Sequence, residues 1–423
     1  MADFLRLEAQ ANSISGAPSK DTAVILLWQQ GGPSHLETYD MKPDAPREYS
    51  GPFRPIPTNV SGIQVCELLP MHARIADKFT LIRSCSHQWG GHNDGVPMML
   101  SGYPDWDDSK KRSACPEVGA IVHRVCGQVH DGMPVTVGMG ARHYSYVPST
   151  SPGYWGERFK PPMIWSLDRG IRNTELTIDT TRFANRVELL ENLDQMRADL
   201  NDGGGLESMG AFQRQATEII SGRKARDAFD LSLEKERVRQ RYGKGWGQQA
   251  LLARRLVETG VRFVTVGVPG GKVIYNWDDH AVNGDIVKAM HDRLPGYDQA
   301  VSALIEDIYQ RDLAGKVMVV VMGEFGRTPR INQRRGNSNG VLNWGRDHWP
   351  HAMSILISGG GKRMGQVIGV TNSKGEHPVE RQLHPGDILA TIYDHLGIDP
   401  HQTFEDPTGR PIVLAEGTPI AEL

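Results

Sequence analysis

The sequence of 423 residues lacks the patterns of membrane-spanning and nucleic-acid-binding proteins. No stretch approaches the ~18 consecutive apolar residues that a membrane span requires. The lysines and arginines are scattered among acidic residues and the formal net charge is only -3. A nucleic-acid-binding surface needs a basic stripe, so we expect no nucleic-acid partner.

Cysteine is scarce as well. The four cysteines have neither a CxxC pair nor the spacing of a zinc ribbon. Their number allows two disulfides or four free thiols, and the sequence leaves both open. They are Cys66, Cys85, Cys115 and Cys126.

A complete signal peptide is also missing, because residues 1–19 have neither a basic start nor a long apolar stretch. Ala9-Gln10-Ala11 nevertheless has the small-x-small form of a cleavage site. We interpret residues 1–20 as the remnant of an export signal or as a disordered N-terminus. The expected location is the periplasm or the cell exterior if the sequence begins inside such a signal, and the cytoplasm as the sequence is written.

Short apolar runs recur along the chain and are typical of strands that are buried on both faces. The first run, Thr22–Trp28, ends in Gln-Gln-Gly-Gly-Pro, which predicts a strand followed by a tight loop. The further predicted strands are Phe79–Arg83, Pro134–Val137, Arg262–Val268, Lys316–Met322 and Met353–Ile357.

Helical patterns lie between these runs. Apolar residues from Val301 to Ile308 follow the i, i+3, i+4, i+7 spacing of an amphipathic helix. A second stripe extends from Ile388 to Leu396, with Asp387 as its predicted N-cap and Gly397 as its stop. Strands that alternate with helices predict an α/β fold with a mainly parallel sheet.

The composition becomes more charged and helical between Thr181 and Gly260. We interpret this stretch as a helical block inserted between two groups of strands. We therefore expect a single domain over residues 21–415, with a helical excursion at about 181–260.

Carboxylates and histidines gather just after, or just before, the predicted strands. The sharpest pairs are Asp278 with His280 and Asp347 with His348. Carboxylate and imidazole are the ligands that a divalent metal takes where cysteine is not used, and strand ends are where ligands bind in an open α/β sheet. Because adjacent side chains such as Asp347 and His348 point in different directions, they suit two neighbouring cations. The pattern predicts a metal site with one or two ions, and with it a hydrolase.

Other polar residues follow the same predicted strands. His35 comes after the first strand, His92 and Asn93 come after the second, and Arg327 comes after the fifth. We expect Arg327 or Arg346 to bind a substrate anion through a bidentate contact, since a guanidinium matches phosphate and sulfate geometry.

Each of these residues also has a plainer interpretation. Glu324 and Arg327 lie three positions apart and would pair with each other on a surface turn. Asp278 would cap a helix that begins near Ala281. A lone histidine such as His72 is more often packed in the core than bound to a metal.

Several linked motifs resemble those of the domain of unknown function 1501 family, and the resemblance extends from about Thr22 to Asp399. The motifs are Gly31-Gly32-Pro33-Ser34-His35, the stretch from Arg237 to Gly260, Trp277-Asp278-Asp279-His280, Glu324–Pro329 and Asp347-His348-Trp349. That family is usually placed in the alkaline phosphatase/sulfatase-like superfamily. The resemblance implies a three-layer α/β sandwich and a site with one or two divalent metals, with zinc favoured and calcium, manganese or iron also open.

The resemblance also implies metal-binding roles for named residues. Asp347 and His348 resemble one Asp-His ligand pair of the superfamily. Asp278 and His280 resemble its other pair, although their spacing is shorter than in the phosphatases.

Two further ligands are implied from the ends of the chain. His35, with Asp40 close behind, lies where the superfamily has its first-strand acidic ligand, although no aspartate directly ends this strand. His384 or His377 would be the late histidine ligand, ahead of the last predicted helix.

The nucleophile is where the sequence departs from the superfamily. Its enzymes carry a Ser, Thr or modified Cys shortly before a Thr-Gly that resembles Ser101-Gly102, but this region holds His92 and Asn93 instead. The sulfatase Cys-x-Pro-x-Arg signature is missing too. His92 and Asn93, together with Arg327, are therefore the candidate catalytic residues, and the nucleophile would be a water, or else Ser84 or Ser86.

These expectations lead to a metal-dependent hydrolase of phosphate or sulfate esters, including saccharide-linked esters, without a standard Ser, Thr or formylglycine nucleophile. The alternative is a catalytically lapsed superfamily member that binds an anionic glycan or a partner protein. The clustered Asp-His pairs favour the enzyme, and the missing nucleophile favours the binder. The expected partner is a small-molecule or saccharide ester, and the sequence leaves the oligomeric state open.

Overall fold

A computed structural model describes residues 21–127, 133–140, 148–164, 223–337 and 340–423. Our interpretation of residues 1–20, and the part of the predicted helical block between 181 and 222, lie outside the described residues. Over the ranges that are described, no helix has the length and apolar character needed to cross a membrane.

The described residues contain a central sheet of eight strands, in the order β8-β2-β7-β6-β1-β5-β3-β4. The six apolar runs singled out above are all strands of this sheet, and two short edge strands, β4 and β8, were not predicted. The strands are β1 (Ala23–Trp28), β2 (Phe79–Cys85), β3 (Thr136–Met139), β4 (Met163–Ile164), β5 (Phe263–Gly267), β6 (Val317–Met322), β7 (Met353–Gly359) and β8 (Gln366–Ile368).

The sheet is mainly parallel, as predicted. Strand β1 runs parallel to both β5 and β6, and β3 runs parallel to β5 and β4. The exception is β7, which is antiparallel to both of its neighbours, β6 and β2. Because β7 runs the opposite way, its first residue lies at the edge where the parallel strands end.

Alternate residues of β1 pack into two separate hydrophobic clusters, one on each face of the sheet. Ala23, Ile25 and Leu27 face one cluster, and Val24, Leu26 and Trp28 face the other. Burying each aliphatic side chain contributes about 1.5–3 kcal/mol. Two covered faces explain why these strands are continuous apolar runs rather than alternating ones.

Helices cover both faces, so the expected three-layer α/β sandwich is confirmed. The first cluster contains residues of α7 and α8, and the second contains residues of α3, α4 and α9. The helices found in the described ranges are α1 (Arg47–Ser50), α2 (Pro70–Arg74), α3 (His92–Ser101), α4 (Val118–Val125), α5 (Arg223–Phe229), α6 (Glu236–Tyr242), α7 (Trp246–Glu258), α8 (Ile286–Gln310) and α9 (Pro385–His395).

The helix caps confirm one sequence prediction and correct two. Helix α8 starts at its N-cap Asp285, which accepts hydrogen bonds from the first turn, so Asp278 is not a helix cap. Helix α9 begins at Pro385, and its predicted N-cap Asp387 lies inside the first turn, where its carboxylate accepts from the backbone N–H of His384. The predicted stop is confirmed, because Gly397 adopts a left-handed conformation with φ of 71°.

Two small antiparallel ladders lie between β6 and β7 and shape the site. Gly326–Arg327 pairs with His348–Trp349, and Asn332–Arg335 pairs with Leu342–Gly345. Further short ladders are Pro55–Pro57 with Gln64–Cys66, Trp106–Asp107 with Arg112–Ser113, Val370–Thr371 with Pro378–Glu380, and Thr403–Glu405 with Pro411–Val413.

The four cysteines are free thiols rather than disulfides. Burial raises the pKa of the Cys66 thiol and of the Cys115 thiol to about 12. They therefore stay protonated and act as small apolar residues. The single-domain boundaries at 21 and 415 stay a prediction.

Candidate metal centre

Four loops bring histidines and carboxylates together at the edge of the sheet where the parallel strands end. His92 begins α3 after β2, and Asp278 and His280 follow β5. Glu324 follows β6 directly, and His348 lies just ahead of the antiparallel β7. These strands are neighbours or near neighbours in the sheet, which is why residues far apart in sequence meet here.

Three histidine Nε2 atoms surround one carboxylate oxygen, Asp278 Oδ1. The distances from this oxygen are 3.0 Å to His348, 3.2 Å to His280 and 3.7 Å to His92. His280 Nε2 and His348 Nε2 are themselves only 2.9 Å apart. Ligand atoms of His92, Asp278 and His348 all lie within 4.8 Å of one another, the one such group of three found among the described residues.

The other nitrogen of each ring is held by an acceptor. His280 Nδ1 lies 2.7 Å from Asp347 Oδ1, His92 Nδ1 lies 2.8 Å from Glu324 Oε1, and His348 Nδ1 lies 2.7 Å from the Gly90 carbonyl oxygen. Carboxylate and carbonyl oxygens only accept, so each Nδ1 carries the hydrogen. With Nδ1 held in this way, each ring can present its Nε2 to a metal at the centre, because an acceptor behind a histidine fixes the orientation of the ring.

These donors suit a divalent cation that readily takes imidazole ligands. Donors about 2.0–2.1 Å from a tetrahedral zinc are separated by about 3.3–3.4 Å, which falls within the separations from Asp278 Oδ1. The group of His92, His348 and Asp278, two imidazoles and one carboxylate, suits zinc, iron or manganese, and His280 lies beside it with its Nε2 2.9 Å from that of His348. Calcium, which we had left open, takes six to eight oxygen ligands and is not suited to this set.

Asp347 has a different place from the one that the resemblance implies. Its Oδ1 accepts from His280 Nδ1, and its Oδ2 accepts from Asn332 and Arg334 at 2.9 and 3.2 Å. The geometry therefore makes Asp347 the residue that orients His280. Three of the four residues in the two Asp-His pairs therefore face the centre, namely Asp278, His280 and His348, and Asp347 lies behind His280.

Arg327 contacts protein atoms rather than a space for an anion. Its guanidinium is fully buried and donates to Asp278 Oδ1 at 2.6 Å, to the Gly32 and Trp277 carbonyls at 2.8 and 3.1 Å, and to the Gly31 carbonyl. Its donors are engaged in this way, so Arg327 holds Asp278 and the β1 loop in position. The alternative surface pairing of Arg327 with Glu324 is not found.

Arg346, the other predicted anion clamp, is also fully buried. It forms an ion pair with Glu37, with Nη2 to Oε1 at 2.7 Å, and donates to the Thr328 carbonyl at 3.0 Å. The physical reason is the same for both arginines: a buried guanidinium must satisfy its donors within the protein.

Glu324 is the site residue that the sequence analysis did not assign. Its side chain is fully buried, and Oε1 accepts from His92 Nδ1 and from the Gly31 backbone N–H at 2.7 Å. Its other oxygen, Oε2, is buried without a hydrogen-bond partner. The sequence could have indicated this residue, because Glu324 lies two residues after the buried run that ends at Met322, and ligands are bound by residues just past the ends of parallel strands.

The carboxylates at the centre favour positive charge there, which either a proton on His92 or a metal cation would supply. Burial alone would lower the pKa of His92, but Asp278 and Glu324 together raise it to about 9. Burial alone would raise the pKa of Asp278, but hydrogen bonds from His348, His92 and Arg327 hold it well below its usual range. Burial is the main reason that the pKa of His280 is lowered.

The remaining predicted residues have other surroundings. His35 is buried and its Nε2 donates to the Gly375 carbonyl at 2.9 Å. His384 is the N-cap of α9, with Nδ1 3.3 Å from the Ser86 carbonyl oxygen. Neither is in the group around Asp278. Asn93 is the second residue of α3 and is exposed beside His92.

The two candidate serine nucleophiles are buried and engaged elsewhere. Ser84 Oγ donates to the Arg381 carbonyl at 2.6 Å, and Ser86 Oγ accepts from Gln382 Nε2 at 2.9 Å. Both serines belong to, or directly follow, β2, and the structure gives no reason to bring either to the centre.

The fold and the site define an α/β protein with a candidate centre for one divalent metal. The family described as "Protein of unknown function (DUF1501)" matches residues 21–423 of the chain. The protein therefore belongs to this family, as the motifs predicted. No curated protein matches the sequence.

The chain is also similar to solved structures of several enzymes. An alkaline phosphatase from the Antarctic bacterium TAB5 is 12% identical, with a TM-score of 0.35, over 83% of this chain and 94% of that one. A sulfatase from Pseudoalteromonas sp. is 8% identical, with a TM-score of 0.38, over 94% and 70%. The lipoteichoic acid synthase LtaP from Listeria monocytogenes is 8% identical, with a TM-score of 0.37, over 97% and 80%. Likenesses this distant do not bear on activity, and the fold described above rests on the strands themselves.

Proposed function

We propose that the protein is a metal-dependent hydrolase of phosphate or sulfate esters, including saccharide-linked ones. The observation that supports this most directly is the convergence of three Nε2 atoms on Asp278 Oδ1, with every Nδ1 held by an acceptor. Histidines whose outer nitrogens are already held, and which face one carboxylate oxygen, form a donor set that a divalent cation can occupy.

We propose that His92, Asp278, His280 and His348 hold one divalent cation. A cation there would polarise an ester oxygen and make a water more acidic. The chain itself would orient the ligands through Asp347, Glu324 and the Gly90 carbonyl.

The substrate would approach from the side of the first turn of α3. This helix begins at His92, and its N-terminus carries the positive end of the helix dipole, which favours an anionic ester. Asn93 is exposed on the same turn, and we propose that its side-chain amide hydrogen-bonds the substrate.

Water is the proposed nucleophile. Ser84 and Ser86 are held by Arg381 and Gln382, and the sequence has no formylglycine signature. Neither of these two serines is therefore placed to form a covalent phospho- or sulfo-enzyme.

Metal analysis combined with an activity screen tests the proposal. The purified protein is expected to contain about one equivalent of zinc, iron or manganese, and to hydrolyse one of an aryl phosphate, an aryl phosphodiester or an aryl sulfate. The His348→Ala variant should lose both the metal and the activity. The matched control is His401→Ala, which removes an exposed histidine and should keep both.

The second candidate function is that of a lapsed enzyme that binds an anionic glycan or a protein through an intact metal centre. The engagement of both nearby serines favours it. Stoichiometric metal without hydrolysis of any of the three esters would support this reading over the hydrolase. Metal content that is equally low in the original protein and in His348→Ala would contradict both.

Export also stays a proposal, supported by the small-x-small sequence Ala9-Gln10-Ala11. Peptide sequencing of the native protein from separated cell fractions tests it. A cytoplasmic protein that begins at Met1 would contradict export.

A further inference from the structure

A cavity of about 270 Å³ adjoins the candidate metal centre. Asp347 belongs to both: its Oδ1 faces His280, and its Oδ2 faces Asn332, which lines the cavity. A molecule in this cavity would therefore lie one side chain away from the ligands of the centre. The cavity includes no residue to which the site has assigned a metal-binding atom.

One wall of the cavity is formed by Asn332, whose side-chain amide is held by Asp347. Asn332 Nδ2 donates to Asp347 Oδ2 at 2.9 Å, so the amide is fixed with its oxygen turned away from Asp347. That oxygen, Oδ1, is buried and has no hydrogen-bond partner. Because this oxygen is buried, it does not face the cavity, and Asn332 serves the cavity by holding the Asp347 carboxylate in place.

Two aromatic side chains, Tyr49 and Trp349, also line the cavity. Each ring has a contact that restrains it. The Trp349 Nε1–H donates to the Glu376 carbonyl at 2.6 Å, and the Lys374 ammonium lies 4.8 Å from the centroid of the Tyr49 ring. Rings that are held in this way offer a rigid apolar surface at little entropic cost.

The charged groups at the cavity have both signs. Arg330, Glu376 and Asp347 all line it. A ligand of one strong charge would be repelled by one member of this set, whereas a ring bearing several hydroxyl groups can donate to the carboxylates and accept from the arginine.

We propose that this cavity binds a single saccharide ring, the sugar part of the ester whose phosphate or sulfate group would lie at the metal centre. The sugar C–H groups would pack on Tyr49 and Trp349, because the face of an aromatic ring is negative and attracts the slightly positive C–H edge. The sugar hydroxyls would donate to the carboxylates of Asp347 and Glu376 and accept from Arg330. The volume is just below the ~300–1,000 Å³ of pockets for drug-sized ligands, so it suits one ring rather than a chain. The placement of the ester relies on the proposed function, but the binding of the sugar does not.

Saturation-transfer NMR on the full chain tests the proposal without any hydrolysis. The probes are methyl β-galactoside, methyl α-fucoside, N-acetylglucosamine and glucuronate, at tens of millimolar. At least one of them is expected to receive saturation from the protein, with most transfer to its ring C–H protons. No transfer to any of the four would overturn the proposal.

Paired variants locate the binding. Tyr49→Leu removes the aromatic face and should weaken binding of the responding sugar at least about tenfold. Tyr49→Phe keeps the ring and should stay within about twofold. Arg410→Ala removes an exposed arginine that does not line the cavity and should leave binding unchanged. Equal binding by Tyr49→Leu and the original protein would place the sugar elsewhere and overturn the proposal.

The His348→Ala variant separates this inference from the proposed function. It should bind the sugar as tightly as the original protein does, because His348 is not part of the cavity. Sugar binding in a protein that hydrolyses no ester would contradict the hydrolase and support the cavity. Hydrolysis of aryl esters with no binding of any probe sugar would support the hydrolase and contradict sugar binding in the cavity.

Discussion

Asp347 Oδ1 lies 2.7 Å from Nδ1 of His280, while Nε2 of the same ring lies 3.2 Å from Asp278 Oδ1. One imidazole therefore joins two aspartates, one outside the candidate centre and one inside it. The outer carboxylate fixes the hydrogen on Nδ1 and leaves the Nε2 lone pair to the centre. Two aspartates that look alike in sequence thus have different roles.

The two aspartates should respond differently to loss of charge. Asp347→Asn is expected to lower metal affinity about 10–100-fold, because an outer carboxylate tunes a ligand without being one. Asp278→Asn is expected to abolish stoichiometric binding, since it neutralises the carboxylate at the centre. Competition titration with a chelator measures both. Equal losses in the two variants would contradict the assignment of Asp347 as an outer residue.

The main elements of the fold are predictable from the sequence because of burial. Strands β1 and β6 are covered on both faces, so they are continuous apolar runs that differ from the helices around them. The edge strands β4 (Met163–Ile164) and β8 (Gln366–Ile368) were missed because runs of two and three residues carry no periodicity.

The site was predictable in part, for a topological reason. Parallel strands end at the same edge, so the pairs Asp278/His280 and Asp347/His348 could be expected to meet. The roles of the side chains could not be predicted, because they depend on distances across the fold. Arg327, for example, is held by Asp278 and by carbonyls of the β1 loop, and nothing in its local sequence distinguishes it from an anion-binding arginine.

Arg327 should be needed for stability as well as for the geometry of the centre. Lysine at this position keeps the charge but cannot reproduce the fork that reaches Asp278 and four carbonyls. Arg327→Lys is expected to lower the free energy of unfolding by on the order of 2–4 kcal/mol, because buried acceptors lose their donors. Urea unfolding measures the change. The control is Arg410→Lys at an exposed position, and a loss no larger than the control's would contradict the structural role.

Gly31 should not tolerate a side chain, because the Asp278 loop packs directly on its backbone. A Cβ there would lie 2.4 Å from the Asp278 backbone nitrogen, and the φ of 115° is itself strained for other residues. Gly31→Ala is expected to destabilise the protein by about 1–3 kcal/mol and to weaken metal binding by displacing Asp278.

A matched glycine gives the opposite expectation. A Cβ at Gly296, within α8, meets no atom within 4 Å, and alanine is the better helix former by about 1 kcal/mol. Gly296→Ala should therefore raise the melting temperature, whereas Gly31→Ala should lower it. Thermal unfolding of both variants with and without added zinc provides the comparison, and a neutral Gly31→Ala would contradict the close packing of the two loops.

His123 should make the protein less stable in acid. It lies on α4, with Nδ1 3.1 Å from the Thr136 hydroxyl oxygen, and burial lowers its pKa to about 4. The unfolded chain has the ordinary value of about 6.5. As the pH falls from about 6.5 to about 4, the unfolded state binds a proton that the folded state does not, so stability is lost over this window and the loss levels off below it. The loss amounts to at most about 3 kcal/mol.

The His123→Gln variant tests this, because it removes the titrating group. The difference in unfolding free energy between the variant and the original protein should change between about pH 6.5 and about pH 4, the two pKa values given above, and stay constant above that range. Urea unfolding at a series of pH values measures it, and parallel pH profiles for the two proteins would show that this histidine is protonated in the fold.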